Sequence, residues 1–406
     1  MTARRSGTTS RDMRHQNRLL VRDIIRLKGP ISRNEIARVT GLTPPTITNV
    51  VNELLASNMV REIGPGESTG GRRPVLLELN PNAGFVFAAR IQRGEIVTAL
   101  LDLVGTVLAS SRTSLDNTDP DTFIQAIAGA FEMLAAGAGV ARHQALWCGV
   151  ATPGLVDPER GVVHRSSNLA WSQVALGPML SDAIGGIPVH VENVSKAAAL
   201  GEKAYGSGQG YQNLVYLNLS VGISAGIIVD NQVFSGSRGY AGEIGHVATV
   251  ANGGPLCACG QYGCLEATCG LKALLKKVAD ETPAEALKAL GIDAAQLSVE
   301  HLTGELAQVP QVRRIIQEAG KTIGLFISTV MTLFDPEIVI LGGELARLDE
   351  TFLDAVVRSA RKHGLADIVQ NIPIVRSTMR DDPGLMGAYA LALDEVFALE
   401  DWHRAE

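Results

Sequence analysis

One short stretch limits the folds open to this chain. Gly242-Glu243-Ile244-Gly245-His246 is followed, ten residues after the histidine, by Cys257-Ala258-Cys259-Gly260-Gln261-Tyr262-Gly263-Cys264-Leu265-Glu266. It holds three of the five cysteines in 406 residues. Three thiolates and one imidazole make a closed tetrahedral set for a d¹⁰ ion, so His246, Cys257, Cys259 and Cys264 are expected to hold a structural zinc, Zn(2+). Gly260 and Gly263 lie between the last two sulfurs, where a tight knuckle needs backbone angles that side chains resist. The alternative is a set of buried cysteines without metal; tight clustering in a cysteine-poor chain favours the ion. Cys148 and Cys269 lie in apolar or small-residue surroundings and read as buried thiols. This cysteine usage suits a reducing, cytoplasmic compartment.

A chain of 406 residues is too long for one ordinary core, so two or three domains are expected. No uncharged apolar run reaches the roughly 18 residues that a membrane span needs, and the basic N-terminus has no apolar signal segment. The formal net charge of −6 conceals an asymmetry. Residues 1–80 carry 13 Lys and Arg against 7 Asp and Glu, a net +6, which leaves −12 on the remainder. A basic N-terminal part on an acidic body points to a polyanionic partner for the small part.

The N-terminal pattern names that partner. Residues 1–14 are rich in Arg, Ser and Thr and are expected to be disordered. Leu20, Ile24 and Leu27 recur at helical spacing from His15 onward, and Gly29-Pro30 ends the run. Ser32 with Glu35 forms a capping box for a short helix that stops at Thr40-Gly41. Thr43 caps a third helix with Pro44 at its first position. Ile47, Val50, Val51, Leu54 and Leu55 form the inner face. Pro45, Thr46, Thr48, Asn49 and Asn52 are left outside. This is the pattern of a helix-turn-helix whose last helix enters the major groove of double-stranded operator DNA. Thr43, Pro45, Thr46, Thr48, Asn49 and Asn52 are the candidate contacts, with Asn49 suited to adenine and the threonine methyls to thymine. Two short strands, Met59–Arg61 and Val75–Leu79, flank a Gly- and Ser-rich segment ending in Gly71-Arg72-Arg73-Pro74. It reads as a wing that lays Arg72 and Arg73 into a narrow minor groove. A three-helix module that docks on protein is the alternative.

After Pro81-Asn82-Ala83-Gly84, strand-like and helical runs alternate. Phe85–Ile91 and Ile96–Asp102 read as a hairpin, followed by a strand at Val107–Ser111. A helix at Phe123–Ala136 and strands at Ala145–Ala151 and Val189–Glu192 follow, then a helix at Ser195–Tyr205. Leu214–Leu219 and Gly226–Val229 read as a second hairpin with Asp230-Asn231 as its turn. Residues 279–308 look like added helices. Gln311–Phe334 is a long helix, Ile338–Leu341 a strand, and Leu385–Leu399 a last helix that packs back on the body. The order repeats, which predicts a duplicated α/β unit with a cleft between two lobes.

At full length the sequence resembles the ROK family (repressor, open reading frame, kinase), in particular its NagC/XylR-type transcriptional regulators. The resemblance rests on the Glu-x-Gly-His and Cys-x-Cys-Gly-x-x-Gly-Cys-Leu-Glu motifs and on the N-terminal winged helix. It rests also on Thr152-Pro153-Gly154-Leu155-Val156-Asp157, on Asn168-Leu169-Ala170-Trp171 and on Pro336-Glu337-Ile338-Val339-Ile340-Leu341-Gly342-Gly343. It implies an α/β fold: a winged helix-turn-helix at 1–80, then an actin-like, ribonuclease-H-like pair of lobes. The first lobe would span 81–195, with a C-terminal helix at 384–400 packing back on it. The second would span 196–383, carrying the zinc knuckle and an oligomerisation surface. A homo-oligomer, dimer or tetramer, follows, with no membrane partner. Asn168, Asn193, Glu243, His246 and Glu266 match family positions that hydrogen-bond sugar hydroxyls, and Gly154 would let backbone approach the ligand.

The kinases of the family open their first hairpin with Asp-x-Gly-Gly-Thr-Lys. Here the segment is Arg90-Ile91-Gln92-Arg93-Gly94-Glu95, and Glu95 would repel a triphosphate where a lysine attracts it. The second phosphate turn, Gly-Thr-Gly in the kinases, is Ser220-Val221-Gly222. The kinases follow Asn with an Asp that accepts the sugar hydroxyl proton. Here the pair is Asn193-Val194, and valine accepts no proton. The expectation is therefore a DNA-binding regulator, a repressor of sugar-metabolism or transport genes, that responds to a sugar or sugar derivative and is not an enzyme. The alternative is a sugar kinase, phosphorylating hexoses with ATP, that has gained a DNA-binding arm.

Overall fold

The computed structural model of the chain describes residues 10–66, 73–250, 253–379 and 381–398. It begins with helix α1 (Ser10–Lys28), strand β1 (Ile31–Ser32), helices α2 (Arg33–Thr40) and α3 (Pro44–Ala56), and strands β2 (Val60–Pro65) and β3 (Val75–Leu79). The strands form an antiparallel sheet in the order β1-β3-β2, which makes the unit a winged helix. Its local structure is written in its caps. Ser32 and Glu35 close a reciprocal capping box on α2. Gly41 ends that helix at φ 72°, a left-handed position that favours glycine. Thr43 accepts from the Thr46 N–H to start α3. Ile36, Ile47, Val51 and Leu54 are fully buried against Val21 and Leu77. The first helix starts at Ser10, earlier than expected, so residues 10–14 are helical rather than disordered. An Arg14–Glu53 ion pair ties its start to α3, a tertiary contact that composition does not show.

Two five-stranded sheets follow, built to one plan. The first contains β4 (Phe85–Gln92), β5 (Glu95–Asp102), β6 (Val107–Ser114), β7 (Ala145–Thr152) and a later strand, with α4 (Pro120–Ala138) before β7. A small sheet of β8 (Leu155–Asp157), β9 (Val162–Ser166) and β10 (Trp171–Val174) projects from it, and α5 (Leu176–Ala183) leads to β11 (Val189–Asn193) and α6 (Val194–Tyr205). The second contains β12 (Leu214–Leu219), β13 (Ile223–Val229) and β14 (Gln232–Val233). Helices α7 (Leu265–Cys269), α8 (Leu271–Glu281), α9 (Ala284–Ala289), α10 (Val299–Thr303) and α11 (Pro310–Phe334) come next. Then come β15 (Ile338–Gly342), α12 (Glu350–His363), α13 (Ala366–Val369), β16 (Ile374–Arg376) and α14 (Pro383–Ala398).

The strand orders are β11-β7-β4-β5-β6 and β14-β13-β12-β15-β16. In each, an antiparallel hairpin adjoins two parallel strands. The expected duplication is therefore a duplication of topology. The continuous apolar run Ile338–Leu341 suits a parallel strand covered on both faces, and all four residues are buried. One hairpin differs from the sequence reading. β12 turns into β13 through Ser220-Val221-Gly222, and β13 begins at Ile223. Asp230 and Asn231 form the next turn, into β14, with φ of 49° and 66°. Their turn chemistry was legible; which strand followed was not, since β14 is only two residues long.

The chain crosses between lobes through α6 and again after β16, where α14 returns to the first sheet. These two helices pack closely. A Cβ on Gly387 would lie 1.6 Å from the Ala197 carbonyl oxygen, and one on Gly149 would lie 1.9 Å from that of Ala388. Tyr389, fully buried, donates to the Asp102 carbonyl at 2.8 Å. At its far end α14 meets the winged helix: Arg26 lies 3.1 Å from Asp394, and the Arg22 and Arg26 guanidinium groups lie over the Phe397 ring. Among the described residues, no helix is long and apolar enough to cross a membrane.

Candidate functional site

A cleft of about 1610 Å³ opens between the lobes. It is lined by Gly154, Asn168, Asn193, Glu243, His246 and Glu266 together, although they come from five separate segments. Asn168 sits on the β9–β10 turn, and Glu266 in the first turn of α7. The Asn168 Nδ2 and the Glu266 Oε2 each lie 3.3 Å from where a Cβ on Gly222 would stand. Gly222 therefore keeps an amide donor and a carboxylate acceptor facing one small space. Burial pushes the Glu243 carboxyl up, while His246 and Lys196 pull it back.

Two of these residues have structural work as well. Asn193 caps α6, accepting from the Ser195 N–H at 2.9 Å and the Lys196 N–H at 3.4 Å, and donates to the Gly154 carbonyl at 2.9 Å. Part of its hydrogen-bonding capacity is thus spent on the fold. Gly154 has φ 118°, and a Cβ there would lie 2.4 Å from the Arg165 carbonyl oxygen. The need for glycine comes from this approach of β9, not from a ligand. Trp171 is a core residue, buried edge-on against Phe123 and donating to the Thr118 carbonyl.

At one end of the cleft the side chains of His246, Cys257, Cys259 and Cys264 bring their ligand atoms within 4.8 Å of one another. The Cys259 and Cys264 sulfurs are 3.7 Å apart, and the Cys257 sulfur lies 3.6 Å from His246 Nδ1. A tetrahedral ion with metal–sulfur bonds of about 2.3 Å would space its sulfurs by about 3.8 Å, so the donors fit a metal ion. Burial and the neighbouring sulfurs push the Cys264 thiol up to about 12, a penalty that a cation removes. The knuckle is closed by Cys257 N–H donating to Gln261 O at 2.8 Å and Gly260 N–H to Cys257 O at 2.9 Å. Gly260 takes φ 93° and Gly263 φ 71°, as the expected tight turn needs. Behind the ligands, Nε2 of His246 lies 3.9 Å from Glu243, and Cys257 lies 3.8 Å from Glu266. The cluster thus adjoins two of the cleft carboxylates, Glu243 and Glu266.

The hairpin between β4 and β5 is filled by its own charges. The side chain of Arg90 is only 8% exposed, with Nε 2.5 Å from Asp382 and an outer nitrogen 3.4 Å from Glu95. Arg112 pairs with the same Glu95. Val194 sits beside Arg90: a Cβ on Gly384 would meet Val194 Cγ2 at 3.1 Å and Arg90 Cδ at 3.2 Å.

On α3, Thr43, Pro45, Thr48, Asn49 and Asn52 are exposed and Thr46 is half-buried. The Thr43 and Thr46 hydroxyls share a bond at 2.9 Å, and Thr48 donates to the Pro44 carbonyl. The Asn49 and Asn52 side chains make no hydrogen bond among the described residues, and the threonine hydroxyls keep acceptor capacity beyond these bonds. Arg73 is exposed beside the wing, whereas Arg72 lies outside the described residues.

The ROK family model matches residues 87–395. The chain belongs to the ROK family. Its resemblance to ROK regulators runs the full length. It is 28% identical over 396 residues to the xylose repressor of Caldicellulosiruptor bescii, covering 95% of this chain and 97% of the relative. A crystal structure of a ROK transcriptional regulator, a homologue of E. coli Mlc, superposes with TM-score 0.81 at 27% identity, over 96% of this chain and 98% of that one. The ROK glucokinase of Streptomyces griseus, solved with glucose and AMPPNP, is 28% identical with TM-score 0.68, but its whole chain covers only 77% of this one. The family model leaves residues 1–86 unmatched, which is where the winged helix lies.

Sequence reasoning missed one buried residue beside the ROK cleft, between the lining residues Val194 and Ala198. Lys196 is 2% exposed, lies 3.9 Å from buried Glu192, and donates to the Gly239 carbonyl at 2.5 Å. It links the start of α6 to the loop that carries Tyr240 and Glu243. The signal was present: a Glu–Lys pair at i, i+4 whose lysine opens the run Ala197-Ala198-Ala199.

Proposed function

We infer that this ROK chain is a sugar-responsive transcriptional regulator, a repressor of sugar-metabolism or transport genes, and that it is not a kinase. The observation that carries the reading is a winged helix joined to a ROK body in which Val194 stands where the kinases keep a base. A sugar or sugar derivative would bind in the cleft, its hydroxyls meeting Asn168, Asn193, Glu243, His246 and Glu266. The ion at His246, Cys257, Cys259 and Cys264 is assigned as zinc and as structural, because four protein ligands leave no open position. When bound it clamps the knuckle that carries His246 and leads into Glu266.

The working parts are a DNA-binding domain at 1–80, a first lobe at 81–195 completed by the helix at 384–400, and a second lobe at 196–383. Two copies in a homodimer, or four in a tetramer, would place paired winged helices on a palindromic operator in the cytoplasm. Thr43, Pro45, Thr46, Thr48, Asn49, Asn52, Arg72 and Arg73 are the assigned DNA contacts. The ligand acts only through different affinity for the two arrangements of these helices. The test is operator selection from fragments of the source genome, followed by gel shifts across a sugar panel. No sequence-specific fragment, or one released by no sugar, refutes the reading. Phosphorylated sugar formed at enzymatic rates with ATP and Mg²⁺ would establish the kinase alternative.

A further inference from the structure

The cleft is longer than one sugar ring needs. Its volume of about 1610 Å³ exceeds the roughly 300–1,000 Å³ of an ordinary small-molecule pocket. Asn168 and Glu266 meet at Gly222, beside the knuckle. From there β12 runs on along the wall of the second lobe. Its side chains alternate between two faces, as a strand requires. Val215, Leu217 and Leu219 enter the second-lobe core, while Tyr216, Asn218 and, just past the strand, Ser220 line the cleft. From Tyr216 to Ser220, at about 3.3 Å per residue, this row is roughly 13 Å long. Gly222 follows Ser220 by two residues, so the row begins where the knuckle end of the site stops.

The side chains of Tyr216, Asn218 and Ser220 make no hydrogen bond among the described residues. Two glycines make room for the first two. A Cβ on Gly342 would lie 2.0 Å from the Tyr216 hydroxyl oxygen, and one on Gly343 would lie 2.8 Å from Asn218 Oδ1. The Tyr216 ring is buried with Ala198 and Ile340, which fixes where its hydroxyl stands. Phenol, amide and hydroxyl each donate and accept without charge, the pattern that sugar hydroxyls match. A phosphate is disfavoured here. Asp382, Glu202 and Glu344 act on the Tyr216 hydroxyl, and Arg90, the cation beside it, is already paired with Asp382.

We propose that β12 forms a second subsite and that the effector is a neutral oligosaccharide of two or more rings. One ring faces Asn168, Glu243 and Glu266, and the next lies along Tyr216, Asn218 and Ser220. This inference rests on the sugar-responsive reading above. The experiment is calorimetry on the full chain with glucose, xylose and N-acetylglucosamine, each beside its β-1,4-linked dimer, and with maltose beside glucose. It is run on the wild type and on Tyr216→Phe and Asn218→Ala. One dimer is expected to bind about 10-fold or more tightly than its monomer, as two or three added hydrogen bonds allow. Tyr216→Phe keeps the buried ring and removes only the hydroxyl. Each variant should weaken that dimer by about 2- to 10-fold, the worth of one hydrogen bond, and change monomer affinity by less than about 2-fold. Monomers that bind as tightly as their dimers, or variants that weaken monomer and dimer alike, overturn this inference and leave the sugar-responsive reading intact. Dimer affinity moved by neither variant does the same. No binding by any sugar in the panel overturns both.

Discussion

Lys196→Met should be the most destabilising single change near the cleft, and its cost can be worked from the structure. Lys196 and Glu192 are almost fully buried and 3.9 Å apart. At an effective dielectric of about 20, two unit charges at that distance attract by about 4 kcal/mol. Removing one partner of a buried pair costs about 3–5 kcal/mol, because the other charge is left uncompensated. Methionine fills similar volume, so the loss is that of the charge together with the hydrogen bond to the Gly239 carbonyl. Burial already pushes the Glu192 carboxyl up, and Lys196 is the leading influence that lowers it. In the variant it rises further. A carboxyl with a folded pKa above its unfolded value holds more protons in the native state between the two, so stability falls as pH rises through that window. The deficit should therefore be largest near pH 7.5 and smaller near pH 5.5. Urea unfolding followed by the fluorescence of Trp147 and Trp171, both on first-lobe strands, measures it. With an m-value of about 3 kcal/mol/M, a 4 kcal/mol loss lowers the midpoint by roughly 1.3 M. Adding Glu192→Gln should restore most of that loss. A double variant no more stable than Lys196→Met, or a deficit that grows on acidification, would refute the reasoning.

Elemental analysis should find close to one zinc per chain. Cys259→Ser or chelation should remove it and abolish the ligand response while operator binding by the winged helix persists. Asn49→Ala should relax base preference at one operator position by about 1–3 kcal/mol in a binding-site selection; an equal loss on all sequences would make it a phosphate contact. Arg72→Ala and Arg73→Ala should weaken binding mainly to operators with A·T-rich flanks, measured by gel shift. Val194→Asp alone should yield no sugar phosphorylation in a coupled ATP assay, because Arg90 and Glu95 still occupy the phosphate hairpin.

Local rules made much of this molecule legible. The capping box at Ser32, the cap at Thr43 and the left-handed Gly41 fall where sequence chemistry put them, because caps depend on neighbours within four residues. The knuckle was legible for the same reason: Cys257, Cys259 and Cys264 are adjacent in sequence before they are adjacent in space. Longer-range facts were not. The β8–β10 sheet that presents Asn168 consists of strands of three to five residues, too short for a period to show. The helical start of α1 depends on Glu53, thirty-nine residues away. The contact of Arg165 with Gly154, which explains that glycine, needs the fold to be known. Lys196 was overlooked because a lysine in a helix is read as solvated even with a glutamate four residues before it, and only tertiary packing buries the pair.

The return of α14 to the first lobe has a consequence for how the protein is made. Val86 and Ala88 on β4 are buried in the same cluster as Leu385, Ala388 and Tyr389, and that cluster extends to Val21 and Ile25 of α1. On the ribosome, β11 ends at Asn193 and α14 begins at Pro383. At about 5–20 residues per second, the half-built lobe waits some 10–40 s for its cover, with an apolar sheet face open. The winged helix is synthesised well before its anchors, Asp394 and Phe397, which lie on α14. A nascent chain can therefore carry a finished reading head before it has anything to govern it, and the emergence of α14 is the step that joins the two.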